Sequence, residues 1–388
     1  MKRAVSLWLL DKVDPPTESF IDGMLAEALP KTGKTSVILL VSGHPARPNK
    51  PYRYGRAICV PRLLTRRHVA RFLNFPLACW LLVRLRRRMS RQGRRCAWLV
   101  RNEPVYLAAA VCARRKDTPV IYQQSFPHDD FCRNPVKRGV ARLILRSCRR
   151  GVNGLLAVSP LGLRRLSGQF PDAVKGAVIP LLAPSPALTN PLPAPTPHSP
   201  CECVYIGTHE PARQLDVVLE GVRQAVAEGV DVRATFIGGH PDDVTRLRRS
   251  PGVSSLEAQD RLRFVSPSPR AQLLEQLPAF DVGLSLIPPT DIFRESSPTK
   301  LTEYLGAGLT VLASSGIPLQ EQFVTESGAG ELVRFDPAAI AVGLGQLATE
   351  TQRCHASRRR AARDYALRQL TYDQHVDALL DWVGDDQN

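Results

Sequence analysis

Short apolar runs alternate with helical stretches along almost the whole chain, and this alternation limits the possible fold more than any other feature. Strands are predicted at 1–10, 36–42, 95–100, 119–123 and 154–158, and in the second half at 203–206, 233–237, 263–265, 281–286 and 310–313. Strands joined by helices form parallel sheets with helices on both faces. We therefore predict an α/β protein with two doubly wound parallel sheets.

Prolines divide the chain near its middle. Eight of the 33 prolines lie between Pro180 and Pro200, and a segment so rich in proline is extended and semi-rigid. A length of 388 residues also suits two domains better than one core. We predict a first domain at 1–183, a linker at 184–200, a second domain at 201–365, and a C-terminal helix at 366–388 that packs back on the first domain.

The charge changes sign at the same place. Residues 1–200 contain 34 Lys and Arg against 10 Asp and Glu, whereas residues 201–388 contain 18 against 26, so the halves carry +24 and −8. No Asp or Glu occurs from residue 28 to residue 102. A half with so large a net positive charge is expected to bind an anionic partner. The candidates are phospholipid, nucleic acid or a phosphate-bearing substrate.

One basic stretch, at 65–95, combines apolar residues with arginines that crowd its end. It has no apolar run near the roughly 20 residues that are needed to cross a bilayer. Two interpretations stay open. The stretch is either an amphipathic segment at an anionic membrane surface, or a helix packed in the core with a solvated basic end.

The nine cysteines and eight histidines are scattered without the spacing of a metal site. Because no Cys-x-x-Cys, His-x3-His or Asp-x-Asp pair occurs, we predict no bound metal and no cofactor. The N-terminal apolar run meets Asp11 and Lys12 too soon for a signal peptide. We therefore expect a cytoplasmic protein with reduced thiols.

Two glutamates eight positions apart, Glu295 and Glu303, flank a predicted loop that turns into a helix. Ser297 is a competent N-cap and Pro298 suits the first helical position, so the helix is predicted to begin near Pro298. The free N–H groups and the dipole at such a start favour a phosphate. Glu303, roughly 7.5 Å along the axis, and Glu295 could then bind hydroxyls on either side of it. A polar turn before an ordinary surface helix would show the same spacing.

Apolar runs at 281–287 and 309–313 make this segment part of a strand, loop, helix and strand unit. Gly306 and Gly308 suit the helix end because glycine adopts positive φ freely. Ligands bind beyond the carboxyl ends of parallel strands, which is where the loop with Glu295 would lie. The unit therefore predicts a site for a sugar nucleotide.

The second half resembles the donor-binding domain of family 4 glycosyltransferases over residues 204–347. The matching residues are Tyr205-Ile206-Gly207 with Arg213, Phe236-Ile237-Gly238-Gly239, Arg263-Phe264-Val265 and, most specifically, Ser297-Pro298-Thr299-Lys300-Leu301-Thr302-Glu303-Tyr304-Leu305-Gly306-Ala307-Gly308. In the first half only 16–21 and the strand–helix rhythm look similar. The resemblance implies the GT-B fold, in which two Rossmann-like domains face each other across a cleft.

Roles implied by this resemblance give a donor site. Glu303 would bind the ribose hydroxyls, and Glu295 would contact hydroxyls of the transferred sugar. Arg213 would clamp the diphosphate with help from Lys300, so Arg213, Glu295 and Lys300 are the predicted catalytic residues. The alternatives are a helix-surface pair of Glu303 with Lys300, a loop pair of Glu295 with Arg294, and solvated cations.

Further donor contacts are implied along the backbone. Gly207 would let the diphosphate approach the chain, and Val265 would lie near the base, although a turn glycine and a core valine are the alternatives. Main-chain N–H groups around Ser296, Ser297 and Thr299 would hold phosphate or sugar oxygens.

The chain departs from the family pattern in its donor half at two places. Thr208 follows Gly207, where many relatives have a basic residue, so the clamp would depend more on Arg213. Ser296-Ser297-Pro298 replaces a Gly-Phe-Gly segment after the first glutamate, which weakens the role of Glu295 more than that of Glu303.

The acceptor side is matched less closely. Relatives often have a histidine after the strand at 119–123, whereas Gln124 and Ser125 follow here and His128 comes three residues later. Glu18, Ser125 and His128 are the predicted acceptor-side residues, and a surface-loop histidine is the alternative for His128.

The resemblance implies a retaining, metal-independent transferase that moves a sugar from a nucleoside-diphosphate sugar, with UDP or GDP as the nucleotide, to a hydroxyl held in the interdomain cleft. The expected acceptor is a saccharide or lipid-linked saccharide, in the biosynthesis of cell-surface polysaccharide or glycolipid. The basic first half would bring the protein to the inner face of the cell membrane as a peripheral protein.

Two rival functions stay open. A sugar-nucleotide epimerase or hydrolase of the same fold would need no acceptor. A nucleic-acid-binding protein would use the basic half, but few aromatic residues stand among its basic residues, and no nucleic acid is expected as a partner.

Overall fold

The computed structural model describes residues 4–13, 18–43, 50–64, 69–125, 134–183, 192 and 200–384. The chain divides into two compact units. Unit 1 comprises Met1–Leu181, Glu295–Ser297 and Tyr372–Asn388, and unit 2 comprises Leu182–Arg294 and Pro298–Thr371. Most of the proline-rich stretch predicted to be a linker lies outside the described residues.

Unit 1 is built on an eight-stranded sheet. Its strands are β1 Ala4–Val13, β2 Thr35–Ser42, β3 Tyr52–Tyr54, β4 Ala57–Leu63, β5 Cys96–Arg101, β6 Val120–Gln124, β7 Gly154–Ala157 and β8 Lys175–Val178. Their order is β3-β4-β2-β1-β5-β6-β7-β8, and every neighbouring pair is parallel except β3 with β4. Residues of β5 and β6 are buried throughout, as expected where helices cover both faces.

The helices of unit 1 connect these strands. They are a π-helix at Ile21–Ala28 that continues into α1 Leu29–Lys31, then α2 Val69–Arg91, α3 Pro104–Ala113, α4 Pro135–Cys148 and α5 Pro160–Gln169. Three of them begin with proline behind a polar N-cap. Glu103, Asn134 and Ser159 each accept hydrogen bonds from first-turn N–H groups, which explains why these helices start where they do.

The last part of the chain belongs to unit 1. A 3-10 turn at Tyr372–His375 leads into α14 Val376–Gly384. The Tyr372 ring lies 5.9 Å from the Phe20 ring, and its edge occupies the space that a side chain at Gly23 would need. The C-terminal segment therefore packs on the π-helix.

Unit 2 is built on a six-stranded, fully parallel sheet. Its strands are β9 Cys201–Gly207, β10 Val232–Gly238, β11 Leu262–Val265, β12 Val282–Ser285, β13 Thr310–Ser314 and β14 Gly330–Val333. The order is β11-β10-β9-β12-β13-β14. Numbered within the unit, this is 3-2-1-4-5-6, the strand order of a dinucleotide-binding sheet.

Eight helices cover this sheet in the described part of unit 2. They are α6 Leu215–Ala227, α7 Pro241–Arg248, α8 Val253–Ala258, α9 Arg270–Gln276, α10 Asp291–Arg294, α11 Thr299–Gly306, α12 Pro318–Ser327 and α13 Pro337–Gln369. Two arginines of α13 anchor the rest of the unit, since Arg359 donates to the carbonyls of Phe280 and Pro278, and Arg363 donates to that of Gly306.

Helix α2 occupies most of the stretch 65–95, for which the sequence allowed either a membrane-surface segment or a helix packed in the core. One side is buried through Ala78 and Leu82, while Trp80 is exposed, so the helix packs on the sheet and also presents a face to solvent. Within the described residues, no helix has both the length and the apolar character needed to cross a membrane.

The alternation of strands and helices predicted from the sequence is confirmed. The strands β3, β8 and β14 were missed because they are short edge elements with few apolar residues in a row. The strand β4 was missed because Pro61 and Arg62 interrupt its apolar run. The predicted end of α11 is also confirmed, as Gly308 follows it with φ +75°.

Candidate functional site

The candidate site lies at the carboxyl edge of the unit 2 sheet. Strand β9 lies between β10 and β12. The chain runs from β9 to β10 and β11 on one side of it, and then crosses to β12 on its other side. Such a switch point leaves a crevice beyond the strand ends, and ligands of this fold class bind there. A cleft of about 470 Å³ occurs at this edge, and its lining includes Gly207, Thr208, Gly238, Gly239 and Ser268.

Glycine at the strand ends keeps this edge open. Gly207 has φ +138° and pairs with Gly238, whose φ is +115°. A Cβ atom at Gly238 would lie 2.5 Å from the Gly207 carbonyl oxygen, so only glycine permits this approach. The backbone is therefore exposed to a ligand at the end of β9.

Lys300, the second residue of α11, carries an ammonium group with no hydrogen-bond partner among the described residues. Its Nζ atom is withdrawn from solvent and lies 3.7 Å from the centre of the Tyr205 ring. A Cβ atom built on Gly207 would be 3.3 Å from Nζ. Burial, with a further contribution from Arg213, holds the pKa of Lys300 well below its ordinary value, and Glu303 opposes this effect.

An unpartnered buried donor is costly, at roughly 1–3 kcal/mol and more when it is charged. A ligand oxygen beside Gly207 would remove that cost. The alternative of a solvated lysine at position 300 is wrong, because tertiary packing of α11 against Tyr205 withdraws the ammonium group from water.

Arg213 provides a second cation near the same glycine. It ends the 3-10 turn Pro211–Arg213, and its Nε donates to Thr208 Oγ1 at 3.3 Å. Its guanidinium lies 4.7 Å from the centre of the Phe293 ring. Thr208 thus holds Arg213 at the end of β9.

Glu303 is buried in the middle of α11 and forms an ion pair with Arg270, the first residue of α9. Burial raises the pKa of the Glu303 carboxyl, and Arg270 partly offsets the rise. Arg270 Nη2 donates to Oε1, while no described protein group donates to Oε2. The alternative pairing of Glu303 with Lys300 on a helix surface is wrong, since both side chains turn inward and Arg270 takes the carboxylate.

The start of α11 differs from the prediction. The helix begins at Thr299 with Pro298 as its N-cap, and no side chain caps it. Ser297 Oγ instead accepts from the Leu181 N–H at 2.8 Å, so Ser297 as the N-cap is wrong. Thr299 stands at the first helical position, where backbone N–H groups have no helical acceptor.

Glu295, Ser296 and Ser297 belong to unit 1 rather than to the unit of the glycine-lined cleft. Arg165 Nε donates to both carboxylate oxygens of Glu295, at 2.9 and 2.7 Å, and Ser159 Oγ donates to the Glu295 carbonyl at 2.7 Å. The alternative of a loop pair between Glu295 and Arg294 is wrong, because Arg165 of α5 holds the carboxylate. The role of Glu295 toward a sugar stays a prediction.

Val265 does not line the cleft beside Gly207. It is exposed at the end of β11 and lines a separate groove of about 550 Å³ with Arg263 and Phe280. The alternative of a core valine is wrong, because β11 is the edge strand of its sheet. Contact of Val265 with a base stays a prediction.

The predicted acceptor-side residues lie at the carboxyl edge of the unit 1 sheet. Arg101, the last residue of β5, forms an ion pair with Glu18 and donates to Ser125 Oγ at 3.1 Å. Its register partner Gln123 is fully buried, and neither side-chain amide atom has a partner. His128 lies outside the described residues.

Sequence reasoning missed Arg270, His209 and Gln123. A basic residue at the start of a helix interacts unfavourably with the helix dipole. The position of Arg270 at the start of α9 therefore indicated a residue kept there for an acidic partner. Nothing in the local sequence marked the other two, because a buried histidine or glutamine is recognised only from its surroundings.

His209 follows the end of β9 and is fully buried beside the rings of Tyr205, Phe236 and Phe264. Neither ring nitrogen has a hydrogen-bond partner. Burial lowers the pKa of His209 to about 4, with Lys300 as the next largest cause. The imidazole is therefore neutral at pH 7, and its ring fills the space that a side chain at Gly239 would need.

Among the described residues, no group of three or more His, Cys, Asp or Glu side chains is arranged to hold a metal ion. The absence of a metal or cofactor from the reaction stays a prediction.

No protein-family model matches the sequence, and no curated protein sequence matches it. Solved structures do match over nearly the whole chain. Sucrose-phosphate synthase from Thermosynechococcus elongatus is 15% identical with a TM-score of 0.67, covering 97% of each chain. A structure described as trehalose-6-phosphate from E. coli bound with UDP-2-fluoro glucose is 13% identical with a TM-score of 0.64, covering 97% of this chain and 98% of that one.

A third match is an α,α-trehalose-phosphate synthase (UDP-forming) from Burkholderia xenovorans in complex with glucose-6-phosphate. It is 12% identical with a TM-score of 0.65, covering 98% of this chain and all of the other. These similarities confirm the predicted GT-B fold class. At this identity they show a shared fold, and the resemblance to family 4 in particular stays a prediction.

The buried, neutral His209 predicts acid sensitivity of unit 2. Because folding lowers its pKa from 6.5 to about 4, the unfolded chain binds the proton more readily between these values. The stabilising contribution is complete above about pH 6.5 and is lost as the pH falls toward about 4, by roughly 2–3 kcal/mol. Urea unfolding of wild type and His209→Phe across this range measures it. The variant should lose less stability in acid, and an equal loss in both proteins would contradict the assignment.

Proposed function

We propose that the protein is a glycosyltransferase that uses a nucleoside-diphosphate sugar. One observation carries this proposal, namely the buried Lys300 ammonium that lies beside Gly207 without a partner. A diphosphate at the end of β9 would accept its hydrogen bonds. The fold supports the same reading, because the solved structures that share it include a UDP-sugar complex and sugar-phosphate synthases.

The diphosphate is the leaving group of such a reaction, and its stabilisation is the main task of the site. Lys300 and Arg213 would oppose the charge that develops on it, and the first N–H groups of α11 would add donors. In the free protein Lys300 packs on the Tyr205 ring, and Arg213 is held by Thr208 and Phe293. The proposed catalysis therefore relies on preset positive charge and needs no metal ion.

The nucleoside would lie in the cleft of unit 2. Glu303 Oε2 is available for a ribose hydroxyl, since Arg270 occupies only the other oxygen. The cleft is apolar at Ile206 and Ile237 and also contains Ser268, whose buried Oγ has no partner. UDP is the proposed nucleotide ahead of GDP, because two of the solved structures carry UDP in their descriptions.

The transferred sugar and the acceptor involve unit 1 residues in this proposal. Glu295, held by Arg165, would accept from hydroxyls of the donor sugar. Glu18, Ser125 and the unpartnered Gln123 amide would bind acceptor hydroxyls, because neutral amides and carboxylates suit polyols. The proposed acceptor is a saccharide or lipid-linked saccharide used for cell-surface polysaccharide or glycolipid, and the anomeric configuration would be retained.

Nucleotide binding is testable by thermal shift with UDP, GDP, ADP and their sugar conjugates. At least one diphosphate should raise the melting temperature, because a ligand that binds only the folded state stabilises it. The shift should shrink in Glu303→Ala and persist in Glu257→Ala, a helix glutamate paired with Arg248 in the same unit. Failure of every nucleotide to shift the transition would contradict the proposal.

Transfer itself is testable with the nucleotide identified in that screen. We expect Arg213→Ala to lower kcat at least about tenfold with a smaller change in the donor KM, since leaving-group stabilisation acts mainly in the transition state. Arg249→Ala, an exposed arginine of the same unit, is the matched control. Equal kinetics for both variants would contradict the role of Arg213, and sugar release without any acceptor would favour a hydrolase.

A further inference from the structure

A groove rich in arginine runs along the exposed side of α2. It has a volume of about 500 Å³ and is lined by Trp80, Val83, Arg84, Arg87, Arg88, Arg91 and Gln92. The Arg84 guanidinium lies 5.1 Å from the centre of the Trp80 ring. The groove thus joins four cations to one exposed aromatic side chain.

These four arginines form no ion pair with any described residue, and α2 itself contains no Asp or Glu. Their neighbour Arg86 differs, because its Nη1 donates to the Ala113 carbonyl at 2.6 Å and so ties α2 to α3. The charge of the groove is therefore available to an anionic partner.

Apolar side chains continue the same face of α2. Leu73 and Trp80 are each 54% exposed, and Leu73, Leu77, Trp80, Arg84 and Arg91 follow one another at helical spacing. The helix therefore presents an apolar half toward its N-terminus and a cationic half toward its C-terminus.

Helix α4 shows a second exposed apolar stripe of the same kind. Val136, Val140 and Leu143 stand at positions i, i+4 and i+7, and Val136 and Leu143 are 72% and 68% exposed. Basic residues flank this stripe, namely Lys137, Arg138, Arg142 and Arg146. No acidic residue occurs in the helix.

Helix α3 lies between α2 and α4 and joins them into one layer. Cys79 of α2 donates to the Ala109 carbonyl, and Arg114 at the end of α3 donates to the carbonyls of Gly151 and Arg150 just beyond α4. The Val111 side chain of α3 fills the space beside Gly151. The two stripes therefore belong to the same helical layer of unit 1.

Single exposed apolar residues are ordinary, but two apolar stripes bordered by basic residues on one layer match a membrane-surface helix pair. Nucleic acid fits less well. A surface for nucleic acid would present several aromatic rings for base stacking, whereas Trp80 is the one aromatic among the exposed apolar residues described on these helices.

We propose that this layer, formed by the exposed faces of α2 and α4, binds a bilayer that contains anionic phospholipid. The arginine groove takes lipid phosphate groups, and Leu73, Trp80, Val136 and Leu143 enter the interface beside the acyl chains. The proposal does not depend on the function of unit 2.

Vesicle flotation tests it, with phosphatidylcholine alone and with phosphatidylcholine mixed with phosphatidylglycerol at moderate salt. The full chain should float only with the anionic vesicles. Replacing Arg84, Arg87, Arg88 and Arg91 by glutamine should weaken partitioning by about fivefold for each arginine. The matched control replaces four exposed arginines of unit 2, namely Arg249, Arg334, Arg360 and Arg368, and should change partitioning much less.

The apolar contribution has its own test. Leu143→Gln should lower partitioning severalfold, whereas Val342→Gln, at a 56% exposed valine of unit 2, should not. Both sites are exposed, so circular dichroism should show intact folding. Vesicles should also shift the tryptophan emission to shorter wavelength, and Trp80→Phe should remove the shift.

Three results would overturn the proposal. The first is no flotation with anionic vesicles, and the second is an equal loss in the two arginine variants, which would indicate unspecific attraction by net charge. The third is displacement from vesicles by RNA or DNA together with no effect of Leu143→Gln, which would make the layer a nucleic-acid surface.

Discussion

The burial of the Lys300 ammonium beside Gly207 is the constraint on which the rest of the candidate site depends. A charge withdrawn from water without a partner is tolerated only where the surrounding packing holds it firmly. Tyr205 lies under the ammonium, and the Tyr304 hydroxyl accepts from the Ile206 N–H at 2.9 Å, which fixes α11 on the end of β9. The helix and the strand thus hold the cation beside Gly207, where no side chain separates it from the backbone.

Neighbouring groups extend this arrangement. Thr208 holds Arg213, the neutral His209 ring packs beside Tyr205 of β9, and Arg270 leaves one oxygen of Glu303 open. Together they explain why one sheet edge of unit 2 combines positive charge, glycine and a buried carboxylate.

Much of the fold and several residues of the candidate site could be predicted from the sequence because the relevant signals are local. The alternation of apolar runs with helical stretches predicted the parallel sheets. Gly207, Lys300 and Glu303 stand in short sequence motifs. The ion pairs that Arg270 and Arg165 form could not be found in this way, because these arginines meet their glutamates across 33 and 130 residues of chain. Ser297 failed as an N-cap for the same reason, since the Leu181 N–H competes for its hydroxyl.

Calorimetry of nucleoside-diphosphate binding in buffers of different ionisation enthalpy tests whether the diphosphate binds beside Lys300. Burial lowers the pKa of Lys300 in the free protein, and a bound diphosphate raises it again, so binding should take up a proton at alkaline pH below the ordinary value of 10.5. Lys300→Met should bind more weakly and without this uptake. Equal proton uptake in wild type and Lys300→Met, or binding without any uptake in wild type, would contradict a diphosphate site beside Lys300.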